Sequence, residues 1–393
     1  MVAICFLVAF LEGFDIQVLG IALSRLTEQF SLTGSQRTLL MTIGSLGIVL
    51  GAFFGGRIAD FLGRKPLLLS AVAGFGLCTL GSVVASGFGM LAVCRALAGI
   101  GFGVALPMLM AIAADISPPQ RRASTAALIF CGMPAGGGSG GLLVQCLGAD
   151  FDWRLLFAIG GVLPLVLFPA IAWILPETGG RRPTQAQAPL ALLQALFGGE
   201  RLRLTLLLWM IFLPTLTILY MILNWLPTLM TAKGFGGTVP ALATMLFNYG
   251  SVIGAWVFGR WVDRFGVRGP LGFSYAALIL CLLALGATTG VSVTLWLSAL
   301  TGFLLLGANY AMYGVAAARY PPAVRGTGSG ACVSVGRMGA VLGPMLGGIW
   351  LGGGASASRV IVYMAPFAAV ALMAVYGLGA RGGRQTGESD TTL

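Results

Sequence analysis

The chain is 393 residues long, 58% hydrophobic and only 9% charged, where a soluble globular domain carries about a quarter charged residues. That composition excludes a large soluble core and specifies an integral membrane protein. The net charge of +11 comes almost wholly from arginine, with Lys65 and Lys233 the exceptions; histidine is absent, which excludes His-based metal sites, triads and proton relays and leaves proton chemistry to carboxylates.

A helix crosses the hydrocarbon with about 20 apolar residues, and twelve such runs follow one another. The first, 2–24, is too long for the apolar core of a cleavable signal peptide. It starts at Met1 with no lead-in, as expected if the native start lies upstream. It contains FLEGFDIQ, in which Glu12 and Asp15 stand three apart and so share a helix face. The second run, 38–59, leads into GGRIADFLGRKP. The third and fourth are 66–87 and 89–114, the fourth carrying Arg95 in RALAGIGFG. The fifth, 123–147, holds GMPAGGGSGG, and the sixth covers 154–175. After a polar interruption come 204–230, with YMILNWLPTLM, then 239–262, 270–289, 292–316, 326–352, with Arg337 in SVGRMGAVLGP, and 359–379. The expected plan is an all-α protein of two six-helix bundles, 1–175 and 204–380, joined by a central loop, 176–203, and followed by a tail, 381–393. The ladders Gly47-Gly51-Gly55, Gly132-Gly136-Gly140 and Gly339-Gly343-Gly347 predict close helix contacts. The seven cysteines show no CxxC spacing and read as small apolar packing residues.

Basic residues concentrate on the even-numbered connections, while the odd-numbered ones hold only Arg25, Arg37, Arg154, Lys233 and Arg359. This asymmetry predicts that both termini and the central loop are cytoplasmic, with anionic lipid rather than nucleic acid as counter-charge. GRIADFLGRKP at 56–66 aligns with GRWVDRFGVRG at 259–269 at an offset of 203, and the same offset carries Pro118, Pro119 and Arg122 onto Pro321, Pro322 and Arg325. One offset spanning two motifs predicts a duplicated six-helix half, a transporter design with the site between the halves.

GGRIADFLGRKP resembles the signature G-x-x-x-D-x-x-G-R-[RK] of the major facilitator superfamily through Gly56, Asp60, Gly63, Arg64 and Lys65. A weaker copy has Gly259, Asp263, Gly266 and Arg268, with Val267 at the first basic position. Arg95, Gly99 and Gly101 resemble its R-x-x-x-G-x-G element. The resemblance implies that Asp60 faces the eleventh helix near Arg325, and Asp263 the fifth near Arg122, as latches of a cytoplasmic gate. EGFDIQ and GRMGA resemble elements of the aromatic acid:proton symporters, closest to the type that carries 3-(3-hydroxyphenyl)propionate. Asn248 and Asn309 stand where that type has glutamines, which implies a cavity shaped for a related ligand.

A carboxylate in the bilayer centre costs on the order of 3 kcal/mol or more and marks an ion or proton path. Glu12 and Asp15 are therefore the expected proton carriers; two such acids leave room for two protons per monoanion, with structural pairing to Arg95 as the plainer alternative. Arg337 is the expected bidentate anchor for a substrate carboxylate, with Arg95 second or a counter-ion to the acids. Tyr220, Asn224, Trp225, Asn248, Asn309, Tyr310 and Tyr313 suit a hydroxylated ring, although each alone fits packing as well. The expectation is a proton-coupled importer of an aromatic carboxylate in a bacterial inner membrane. It is expected to be a monomer, not an enzyme, with no cofactor or metal; its partners are a small aromatic acid, protons and membrane lipid. The alternatives are import of another organic anion or a sugar acid, export of amphipathic organics, and a membrane sensor on a transporter fold.

Overall fold

The computed structural model describes residues 1–118, 122–148, 150–177, 196–198, 201–320 and 325–379. Within them the secondary structure is wholly helical: α1 (Val2–Phe30), α2 (Gly34–Leu62), α3 (Arg64–Val83), α4 (Phe88–Ile116), α5 (Arg122–Leu147), α6 (Trp153–Ile174), α7 (Arg201–Ala232), α8 (Val239–Phe265), α9 (Arg268–Ala287), α10 (Val291–Arg319), α11 (Arg325–Gly352), α12 (Ala357–Val362) and α13 (Ala365–Gly379). Most run past the apolar stretches that announce them, because polar end turns complete them outside the hydrocarbon. Thr33 and Gln36, for example, form a capping box that starts α2.

The twelfth run arrives as two helices. At their junction the Met364 N–H reaches back to the Ile361 carbonyl, a tightened turn within one apolar stretch, 357–378, long enough to cross. Among the described residues eleven stretches are long and apolar enough to span a bilayer. α5 is the helix left out, its hydropathy diluted by glycine. Phe61, Trp173 and Trp296 stand on the outer surface at 90%, 91% and 78% exposure, which a bilayer covers. The protein is a multi-pass membrane protein.

The internal repeat is physical. Gly47 packs on Ala96 and Gly51 on Ile100, bringing α2 and α4 backbone to backbone; 203 residues later Gly250 packs on Ala299 and Gly254 on Phe303. Gly136 on α5 meets Phe10 of α1, and its equivalent Gly339 meets Leu213 and Thr217 of α7. At each position a Cβ would collide with the neighbouring main chain, so glycine sets the helix spacing. Gly63 and Gly266, one in each signature, have φ of 86° and 74°, a conformation that glycine adopts without a Cβ penalty.

The signatures lie at one end of the molecule, termed here the motif end. Contacts between the halves run through α1 with α7, α2 with α11 and α5 with α8. Several cluster toward the opposite, far end. Gly20 abuts the Asn224 carbonyl, Gly348 abuts Thr38, and Gln145 and Thr238 exchange two hydrogen bonds of 2.8 and 2.9 Å.

Candidate functional site

Two connected cavities lie between the halves. An inner chamber of about 110 Å³ is lined by α1, α4, α5, α7, α8, α10 and α11. An apolar cavity of about 150 Å³ takes one benzene, so this chamber is of single-ring size. A wider vestibule of about 630 Å³ continues toward the motif end, between α2 and α4 on one side and α10 and α11 on the other. Phe130, Tyr313 and Arg337 line both spaces.

The chamber wall is built twice. At the repeat spacing, Gly13 corresponds to Leu216, Ile16 to Leu219, Gln17 to Tyr220, Leu106 to Asn309, Phe130 to Val333 and Pro134 to Arg337, and every one of these residues lines the chamber. The duplicated helices supply equivalent positions, but the chemistry is not duplicated. Arg337 is the one charged side chain in the described wall, and its counterpart is a proline.

Arg337 is half-buried on α11. The phenols of Tyr220 and Tyr313 lie within its electrostatic reach. Tyr313 stacks on Phe130 across the interface, centroids 5.9 Å apart and planes at 18°. Tyr310 donates to the Phe130 carbonyl at 3.3 Å. A cation and flat aromatic walls thus converge on a ring-sized space. Roofing it, Gln17 and Asn248 form a reciprocal amide pair of 2.8 and 2.7 Å, and Asn248 also donates to Thr244 O. A Cβ at Gly137 would strike this pair, so three helices close around it. Asn309 lines the chamber at 3% exposure.

The two acids of α1 part company. Asp15 is fully buried and points into the N-terminal half, where Arg95 Nη1 donates to its Oδ2 at 3.0 Å. Arg95 Nη2 donates to Thr79 at 2.9 Å, and its guanidinium lies 4.9 Å from the Phe157 ring centroid. Gly160 leaves room beside Asp15 Oδ1 that a side chain would fill. Glu12 is also buried, at 2% exposure, but the charge acting on it is Arg337, across the chamber, and its Oε2 has no hydrogen-bond partner. Sharing a helix face did not give the acids a common environment, because Asp15 meets Arg95 of α4 while Glu12 feels Arg337 of α11.

Of the expected substrate residues, Arg337, Asn248, Asn309, Tyr313, Tyr220 and Tyr310 come together in the chamber. Three do not. Arg95 is consumed as the counter-ion of Asp15 and does not line the chamber. Trp225 is buried with its indole N–H on the Pro344 carbonyl at 2.9 Å, a packing contact between α7 and α11. Asn224 turns its amide back onto the Tyr220 carbonyl at 2.7 Å and faces a small pocket beside Asp15 and Arg95. Sequence reasoning missed Gln17, although it stands one turn from Gly13 in the quoted element, and Phe130, which carried no local signal.

At the motif end, Arg64 pairs with Asp115 of α4 within its own half. The side chains of Gly56, Asp60, Arg122 and Arg325 lie outside the described residues. Lys65 is half-buried and Asp263 exposed. Among the described residues, no atom lies within 4 Å of where a Gly259 Cβ would stand. Arg268 donates to the Tyr376 carbonyl of α13 at 3.1 Å.

Residues 5–344 match the family described as Major Facilitator Superfamily. The chain is 35% identical over 383 residues to the 3-(3-hydroxy-phenyl)propionate transporter of Escherichia coli strain K12, covering 98% of this chain and 94% of that one. It is 34% identical to the gallate transporter of Pseudomonas putida, over 88% and 84% of the two chains. Among solved structures it resembles a D-xylose-proton symporter with a TM-score of 0.77 at 16% identity, over 96% of each chain.

Proposed function

The chain belongs to the Major Facilitator Superfamily, as a membrane transporter and not an enzyme, and from that premise we propose that it imports a small aromatic carboxylate together with protons. The observation that carries this reading is Arg337, a single cation in the wall of a ring-sized chamber with Tyr313, Phe130 and Tyr220 around it. A guanidinium offers a carboxylate two parallel hydrogen bonds, and aromatic walls suit a ring. The names of the relatives point the same way: both carry hydroxylated aromatic acids.

The arginine asymmetry supports a motif end on the cytoplasmic side of a bacterial inner membrane. The conformation is then open inward, with the vestibule as the release path and the far-end contacts as the closed outer gate. Glu12 carries the proton: it is the α1 carboxyl whose protonation changes without breaking a hydrogen-bonded ion pair. Substrate carboxylate and Glu12 act on the same guanidinium, so each alters the other's binding. This gives coupling with no contact between the acids. Asp60, Arg64, Lys65 and the second signature serve the gate. The chain works as a monomer.

The test is uptake of radiolabelled aromatic acids into proteoliposomes with an imposed pH gradient. Gradient-driven accumulation of at least one such acid is expected. Accumulation of sugar acids or aliphatic anions alone, or gradient-driven extrusion, would overturn the reading.

A further inference from the structure

We propose that Asn309 reads a hydroxyl on the substrate ring, and that this hydroxyl binds as a hydrogen-bond donor. The proposal rests on the aromatic carboxylate reading and adds which group on the ring is recognised, by which residue and in which sense.

Nearly every polar group of the chamber is already engaged. Asn248 spends both amide hydrogens, on Gln17 and on Thr244, and its oxygen accepts from Gln17. The Gln17 oxygen accepts from Asn248 in return. The Tyr310 hydroxyl donates to Phe130 O. Arg337 has donors only and suits a carboxylate. The Tyr313 hydroxyl lies in hydrogen-bond reach of the Asn309 amide, and Asn309 differs from the rest at the oxygen end of that amide. It is 97% buried by the 3% exposure of its surface, it lines the chamber, and its Oδ1 has no hydrogen-bond donor. No other lining side chain among the described residues holds a buried, unpartnered polar atom.

A buried carbonyl without a donor is costly, about 1–3 kcal/mol. A terminal amide turns about a broad torsion, so a ligand donor arriving in the chamber can meet it. Arg337 cannot serve, since its hydrogen bonds go to the carboxylate. The ligand's own carboxylate has no hydrogen to give. A phenolic hydroxyl has one. The equivalent position in the other half is Leu106, so the chamber recognises such a hydroxyl on the α10 side alone. A site built around a hydroxyl rejects the analogue lacking it far more strongly than an apolar pocket rejects a changed methylene.

The experiment uses purified full-length protein and three matched ligands on both the benzoate and the 3-arylpropionate skeleton: the phenol, its methyl ether and the deoxy acid. Equilibrium binding should favour the phenol about tenfold or more over both others, with the ether no better than the deoxy acid, because it accepts but cannot donate. In Asn309→Leu the phenol-to-deoxy ratio should fall toward one, while Asn309→Asp, which keeps an acceptor, should retain a preference. Should Asn309→Leu fail to purify as a monodisperse species, Asn309→Ala takes its place beside the wild-type ligand series. Equal binding of phenol and ether, or an undiminished ratio in Asn309→Leu, overturns the proposal and leaves the aromatic reading standing. Absence of binding by every aromatic acid overturns both.

Discussion

Asp15 and Glu12 are three residues apart and have different work to do. Asp15 sits in a closed pair with Arg95, so removing its charge leaves a buried guanidinium uncompensated, at a cost of about 3–5 kcal/mol. Asp15→Asn should therefore lower the unfolding temperature markedly in detergent. Glu12 has no such partner, so Glu12→Gln should unfold near the wild-type temperature, retain substrate exchange and lose accumulation against a gradient. Full accumulation by Glu12→Gln would remove it from the coupling. At Arg337 the geometry of the fork matters besides the charge. Arg337→Lys should weaken carboxylate binding by about tenfold in an equilibrium assay, and unchanged affinity would place the anchor elsewhere. The charged residues of the site were legible in the sequence because intramembrane charge is rare. Their pairing was not: spacing puts Glu12 and Asp15 on one face, but only the packing of α4 and α11 decides which arginine each meets. Trp225 and Asn224 look like binding residues by type, yet a carbonyl on α11 and one on the preceding turn claim them.

Helices were read from the sequence almost to their ends, since hydropathy fixes what the hydrocarbon must cover and glycine ladders fix which faces touch. The α12–α13 break could not be read, because it changes hydrogen bonding and not composition. Interfaces between the halves were also hidden: Gln145 and Thr238 lie 93 residues apart and are ordinary polar residues at helix ends. Their reciprocal bonds hold α5 to α8 at the far end. Gln145→Cys with Thr238→Cys, in a background without the seven native cysteines, should give transport that a short reducible thiol cross-linker arrests and a reductant restores. Transport that continues after complete cross-linking would show that this end does not open.

For the whole molecule, the division of labour on α1 sets the energetics. A monoanion entering a negative-inside cell works against about 2.3 kcal/mol per 100 mV. On the proposed reading, with Asp15 held by Arg95 and only Glu12 exchanging, one proton would accompany each monoanion and the cycle would be electroneutral. Uptake into proteoliposomes should follow the pH gradient and ignore an imposed potential; an inward positive current on adding substrate would mean that Asp15 also takes part. The sequence repeat foretold two halves, and its offset proved fine enough to match residues of the wall one by one. It could not foretell which copy would carry the polar groups, because a duplicated scaffold constrains spacing and leaves side chains free to diverge.

That divergence has a consequence for how cargo sits. A vessel whose wall positions come in equivalent pairs offers a flat ring two poses, related by half a turn about the axis between the bundles. Shape alone cannot choose between them. If Arg337 anchors the acid as proposed, arginine on one side and proline on the other act as a compass needle: the acid group would head toward α11 in every cycle, and the same edge of the molecule would always lead on the way out.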